Sequence, residues 1–150
     1  MKQIRIEIII RASAERVWGI IIDFDNYHVW NTFTPRITLR SDDIMIGAEF
    51  DLDCRMTDQQ LLKNEHEVIL ALEPENFHFC MGTSRTRGRP GIRSFRWQIC
   101  EPIDAGITRF INYEEFKGPL ALVVNLLYAK KLRAAFEKYC LTLKAYAEMN

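Results

Sequence analysis

Residues 3–33 read QIRIEIIIRASAERVWGIIIDFDNYHVWNTF, and the spacing of their apolar side chains changes twice. Ile4, Ile6, Ile8 and Ile10 alternate with Gln3, Arg5 and Glu7, a period of two that predicts a strand with one buried face. Ser13 then stands as an N-cap, and Val17, Trp18, Ile21 and Ile22 recur at helical spacing over Ala14 to Phe24. From Asp23 to Phe33 the period is lost, and Phe24, Tyr27, Trp30 and Phe33 crowd among Asp23, Asp25, Asn26 and Asn31. Such a stretch is either a corner that plugs one end of a core or the wall of a binding pocket.

Outward from this opening, strand-like segments run over Arg36 to Ser41, Glu49 to Met56, Leu62 to Glu73, Asn76 to Gly82, Ile92 to Glu101 and Thr108 to Phe116. Their separators, SDDIMIG, TDQQ, EPEN, RTRGRPG and PIDAG, carry turn residues and are too short for parallel crossovers, so neighbouring strands are expected to be antiparallel. From near Pro119, Leu120, Val124, Leu127, Leu132, Phe136, Tyr139, Leu143 and Tyr146 recur at intervals near three and four, which predicts a helix of nearly thirty residues. A stripe of that length has only the sheet to lie against. The pattern predicts an α+β fold: a curved antiparallel sheet of about seven strands around a long C-terminal helix, with a short helical segment after the first strand. A hollow between sheet and helix is the expected ligand site.

The totals bound the partners. With 150 residues and 48% hydrophobic content, the chain is long enough to bury roughly 68–70% of its unfolded surface as one domain. Twenty basic side chains balance 20 acidic ones, so nothing in the overall field favours nucleic acid or an anionic membrane. Cys54, Cys80, Cys100 and Cys140 form no CxxC pair and read as reduced, buried thiols. Arg5 and Glu7 interrupt the N-terminal apolar run, which argues against a secretion signal. PLALVVNLLYA, Pro119 to Ala129, is well short of the ~20 residues a membrane span requires. The expectation is a cytoplasmic protein with no stable membrane insertion.

The opening strand followed by RASAERVWGIIIDFDNYHVWNTF resembles the start of the helix-grip superfamily, also called START-like, SRPBCC or birch-pollen-allergen-like. NYEEFKGPLALVV, with Glu114, Glu115, Phe116, Gly118 and Leu120, resembles the same family's last strand and its join to the final helix. The order of elements matches across essentially the whole chain, and the polyketide cyclase/dehydrase-like branch is the nearest in pattern. His28 and Thr32 depart from it, standing where prolines are usual. The resemblance implies one START-like ligand-binding domain over residues 1–150, with a deep apolar cavity for lipids, sterols, polyketides, hormones or aromatic metabolites. It implies no particular reaction, because the fold hosts binders, transporters and enzymes alike.

Candidate site residues follow from chemistry and strand phase. Trp30 and Phe33 are candidates for the pocket mouth, with core packing as the alternative. Asp23 and Asn31 read as turn hydrogen-bonders and His28 as a surface side chain. In the last strand Phe110, Asn112, Glu114 and Phe116 share one face, and Arg109, Ile111, Tyr113 and Glu115 the other. If the first set faces inward, Asn112 and Glu114 are polar groups in an apolar wall, and a buried carboxyl there has a raised pKa suited to acid–base work. In SFRWQIC, Arg96 and Gln98 come within reach of those glutamates across the PIDAG hairpin, and an inward Arg96 requires a partner. If the second set faces inward, Tyr113 and Glu115 take the role of Asn112 and Glu114, and phase alone does not choose between the faces. Glu114 and Arg96 are therefore the catalytic candidates, and Trp30, Phe33, Arg96, Gln98, Asn112, Glu114, Phe116, Val123 and Leu127 the ligand-binding ones.

Arg85, Arg87, Arg89 and Arg93 make the one dense basic run, read as a solvated loop or an attractor for an anionic head group; it lacks the interleaved aromatics of a nucleic-acid site. His66 and His78 have no metal-site spacing, and no GxSxG, HExxH, P-loop or dinucleotide fingerprint appears, so neither metal nor cofactor is expected. The apolar LALVVNLLY suits a lid, a homodimer contact or a transient membrane contact. The leading expectation is binding of a small hydrophobic or aromatic molecule. The alternatives are a cyclase/dehydratase-like enzyme using an inward carboxylate, and an interaction module using the start of the terminal helix.

Overall fold

The computed structural model describes residues 2–149. Strand β1 (Lys2–Ile10) leads into helix α1 (Ala14–Ile22), a 3-10 turn (Phe24–Asn26) and the single-turn helix α2 (Tyr27–Trp30). Six strands follow: β2 (Arg36–Leu39), β3 (Glu49–Thr57), β4 (Gln60–Glu73), β5 (His78–Thr83), β6 (Arg93–Asp104) and β7 (Ile107–Lys117), and then helix α3 (Ala121–Ala147). All neighbours in the seven-stranded sheet are antiparallel, in the order β1-β7-β6-β5-β4-β3-β2. β1 reaches the far side of the sheet because α1 and α2 carry the chain across one end. Register shifts in the β3–β4, β4–β5 and β6–β7 pairs bend the sheet around α3, which is the helix-grip architecture.

The expected elements form with adjusted ends. α1 begins after Ser13, whose Oγ accepts from the Arg16 N–H at 3.1 Å, as the N-cap pattern predicts. It stops at Ile22, short of Phe24, because the Asp23 N–H turns to Ile20 O. β5 begins at His78 and not at Asn76, since Glu73 to Phe77 makes a tight turn with Phe77 at a φ of 56°. β6 continues past Pro102 to Asp104, the proline being accommodated at a register shift. Pro119 lies outside α3: Gly118, at a φ of 105°, turns the chain, and the Leu120 N–H donates to Gly91 O at 3.0 Å.

The core is dense at one end and open at the other. Leu132, Phe136, Tyr139, Cys140, Leu143 and Ala147 of α3 are buried against the sheet and the α1–α2 corner. Trp30 stacks on Tyr146 with ring centroids 6.1 Å apart and meets Tyr139 at 5.6 Å, so the aromatic corner plugs this end. Asn31 Oδ1 accepts from the backbone N–H groups of Phe33 and Thr34, the turn role its sequence predicts. Arg16 donates to the carbonyls of Ala147, Tyr146 and Met149, closing the C-terminus of α3 with a cation. All four cysteines are free and buried. From Ala121 to Lys131 α3 buries no residue fully; it covers a hollow.

Candidate functional site

The phase of β6 and β7, open in the sequence, resolves in favour of the polar faces. Arg96, Gln98, Asn112 and Phe116 are buried, and Glu114 faces the same interior. Phe95, Trp97 and Ile99 point outward, where Arg93 and Lys117 cover the Phe95 ring and His78 meets Trp97 edge-on. The inward cation is tolerated because aromatic side chains enclose it. The Arg96 guanidinium carbon lies 4.9 Å from the Phe33 ring centre, 4.8 Å from that of Phe136 and 4.6 Å from that of Tyr139.

A cavity of about 240 Å³ lies between this wall and the first half of α3. Its apolar surface comes from Phe33, Cys54, Met56, Leu62, Ile92 and Phe116 on the sheet side, with Val124, Tyr128 and Leu132 on the helix. Its polar groups are Arg96, Glu114 and Glu67, with Glu65, His66 and Arg89 towards the solvent. An apolar space of ~150 Å³ already admits benzene, so the volume suits a small ring system.

Electrostatically the two inner carboxyls are unusual. Burial pushes Glu114 up to about 8, the neighbouring Glu67 charge adding to the rise and Arg96 opposing it. Burial likewise pushes Glu67 up to about 7, with Arg96 again opposing and Glu65 reinforcing. Near neutral pH each can therefore either give or take a proton. Arg96 Nε donates to Asn112 Oδ1 at 2.8 Å, while the Tyr139 hydroxyl donates to Gln98 Oε1. Gln98 and Asn112 thus form a buried second row that orients Arg96 and Tyr139.

The arginine-rich loop folds back onto the sheet. Arg87 Nη1 donates to Asp51 Oδ1 at 2.9 Å and lies 2.7 Å from His66 Nδ1; Arg89 pairs with Glu65 at 2.8 Å; Ser84 Oγ donates to Glu49 at 2.5 Å. Burial would raise the Asp51 carboxyl, but hydrogen bonds from Arg87, His66 and Arg40 together hold it well below the usual range. Two of the four arginines are thereby committed to a clamp at the cavity rim. Among the described residues no helix is long and apolar enough to cross a membrane, and no cluster of three or more His, Cys, Asp or Glu is placed to hold a metal ion.

Of the sequence-expected residues, Phe33, Arg96, Glu114 and Phe116 meet at the cavity, with Gln98 and Asn112 directly behind them. Trp30 does not reach it. Val123 and Leu127 point to solvent, 51% and 64% exposed, and Val124 and Tyr128 take their place. The run around them is apolar on nearly every side and carries little phase, so the expected stripe holds at Val124 and Leu132, while Tyr128 and not Leu127 supplies the inward side chain between them. Glu67 was missed, although its position two residues before the fully buried Ile69 gives it inward parity.

The same arrangement of sheet and helix is found in known proteins. Residues 1–148 match the family described as polyketide cyclase / dehydrase and lipid transport. The chain belongs to this family. A relative, oxopyrrolidines biosynthesis cluster protein O of Penicillium oxalicum (strain 114-2 / CGMCC 5302), is 23% identical over 166 residues, covering 91% of this chain and 79% of that protein. Among solved structures, the Zhui aromatase/cyclase from Streptomyces sp. R1128 superposes with a TM-score of 0.74 at 13% identity, over 98% of this chain and 93% of that one. A START superfamily protein from Mycobacterium smegmatis gives 0.74 at 15% identity, over 97% of both chains. At such identities the structural likeness is one of fold. As a member of the polyketide cyclase / dehydrase and lipid transport family, the chain falls among hydrophobic-ligand-binding and cyclase-like proteins.

Proposed function

We propose that this protein binds a small apolar or aromatic molecule in the cavity beneath the first half of α3. The observation that carries the reading is the cavity itself, about 240 Å³ with apolar walls and three converging polar side chains. Burial of the ligand at roughly 25 cal/mol per Å² supplies affinity, and Arg96, Glu114 and Glu67 set orientation. Native mass spectrometry of freshly purified protein tests it: a co-purified small molecule, released on denaturation, supports the reading. Failure of naphthalene-sized probes to bind at any soluble concentration overturns it.

A second reading, a cyclase/dehydratase-like enzyme, is favoured by Glu67 and Glu114 facing one cavity with carboxyls raised to about 7 and about 8. One carboxylate would take a proton from carbon or oxygen of the bound molecule while the other, protonated, returns one. This reading requires turnover that collapses in both Glu67→Gln and Glu114→Gln while ligand affinity survives.

A further inference from the structure

The strand register leaves two buried donors without an acceptor, one at the cavity floor and one directly behind it. Asn112 spends its amide oxygen on Arg96 Nε, at 2.8 Å, and its Nδ2 then has no hydrogen-bond partner. Arg96 Nη2 has none either, although Arg96 is only 4% exposed and lines the cavity. Three aromatic rings attend the guanidinium, and ring carbons offer no acceptor to its N–H edge. None of the ion pairs within 4.0 Å among the described residues includes Arg96, even though Glu114 is its direct cross-strand partner. A buried cation is costly without a counter-charge, and a buried donor without an acceptor adds to that cost.

Resting on the cavity-binding reading, we infer that the ligand is an apolar carboxylic acid, bound as its anion with a carboxylate oxygen accepting from Arg96 Nη2. The hydrocarbon body then lies along Val124, Tyr128 and Leu132, and the head group reaches the floor between Phe33 and Glu114. A neutral apolar molecule of the same shape would exclude water from Arg96 and give it no negative partner. Charge balance has a second consequence. An anion placed beside Glu67 and Glu114 disfavours their ionised forms, so binding near neutral pH draws protons from solution.

Naphthoic acid and naphthalenemethanol share one ring system and differ in the head group, which makes them the probes. Calorimetric titration of the full chain at pH 7.5 is expected to show the acid binding at least about tenfold tighter than the alcohol, the contribution of one charge-assisted hydrogen bond. Titrations in phosphate and in Tris should differ in apparent enthalpy with the sign of proton uptake. Arg96→Met, close in shape and uncharged, is expected to bring the two affinities together by weakening the acid by at least about tenfold more than the alcohol. Equal affinity of both probes for the unaltered protein overturns this inference and leaves the cavity-binding reading standing, whereas binding of neither overturns both. Proton release, or an acid preference retained in Arg96→Met, also overturns it. Should Arg96→Met not fold, the probe pair and the two-buffer comparison on the unaltered chain decide the matter alone.

Discussion

Arg96 stands directly opposite Glu114 across the β6–β7 pair, yet its guanidinium turns to Asn112 and three aromatic rings instead of pairing with that carboxyl. The charge is thereby held where neither strand neutralises it, and the surrounding energetics become measurable.

The cost of that placement is expected in stability. Arg96→Met removes a buried cation that has no ion-pair partner, which is favourable, and also the donor to Asn112 Oδ1, which costs about 1–3 kcal/mol, so the two changes offset. Arg96→Met should therefore unfold in urea within about 1 kcal/mol of the parent or above it. Arg96→Ala, which leaves a void between Phe33, Phe136 and Tyr139, should lose about 2–4 kcal/mol. Equal losses in both would show the charge itself to be stabilising.

Glu67 and Glu114 set a distinct pH dependence. Both titrate higher in the folded chain, about 7 and about 8, than their ordinary value of 4.5, so the folded state binds more protons between these limits. Their contribution to stability is complete below 4.5, falls as pH rises through the folded values, and is fully lost above about 8. The Glu67→Gln/Glu114→Gln double variant should accordingly gain stability relative to the parent as pH rises from 5 to 8, in urea midpoints at fixed ionic strength. A difference that stays constant across that range contradicts the assignment. The lowered Asp51 carboxyl acts in the opposite direction and only at acid pH.

Trp30 and Phe33 are three residues apart and predicted to separate in function. Trp30 packs on Tyr27, Tyr139 and Tyr146, so Trp30→Ala should lose about 3–5 kcal/mol of stability while naphthoic acid affinity per folded molecule is unchanged. Phe33 touches both Arg96 and the cavity, so Phe33→Leu should weaken that affinity by about tenfold at a stability loss under about 1.5 kcal/mol. Fluorescence titration and urea unfolding of the two variants give both numbers.

Gly118 is expected to tolerate nothing larger. A β-carbon there would lie 2.7 Å from Gly91 O, and its φ of 105° is one that side chains rarely adopt. Gly118→Ala should lose about 1–3 kcal/mol and speed amide exchange at Leu120 to Val124, measured by hydrogen exchange.

Much of this was legible in the chain. Period two in β1, the Ser13 cap, the turn-rich separators and the long apolar stripe each reported a local preference that the fold did not override. Phase was the quantity that local patterns lacked. In β6 the bulky set Phe95, Trp97 and Ile99 looks like a core face, and it points outward because Arg96 and Gln98 find partners only inside, in Asn112, Tyr139 and the rings. Such partners lie 16 and 41 residues away and leave no mark on the strand's own pattern. Glu67 escaped notice for the related reason that KNEHEV reads as a solvated strand until the sheet bends over it.

The grip of Arg16 on the last carbonyls of α3 gives the helix the mechanics of a cantilever. Its C-terminal half is bolted down by Arg16 and by its own buried Phe136, Tyr139 and Leu143, whereas the other end is held by the Leu120 N–H on Gly91 O and by side chains only partly buried, Ala121, Val124 and Tyr128. A beam supported in this way deflects at its tip. A swing that releases the Leu120 contact and the partly buried Ala121 and Val124 would widen the space above Arg96 and leave the aromatic corner around Trp30 undisturbed.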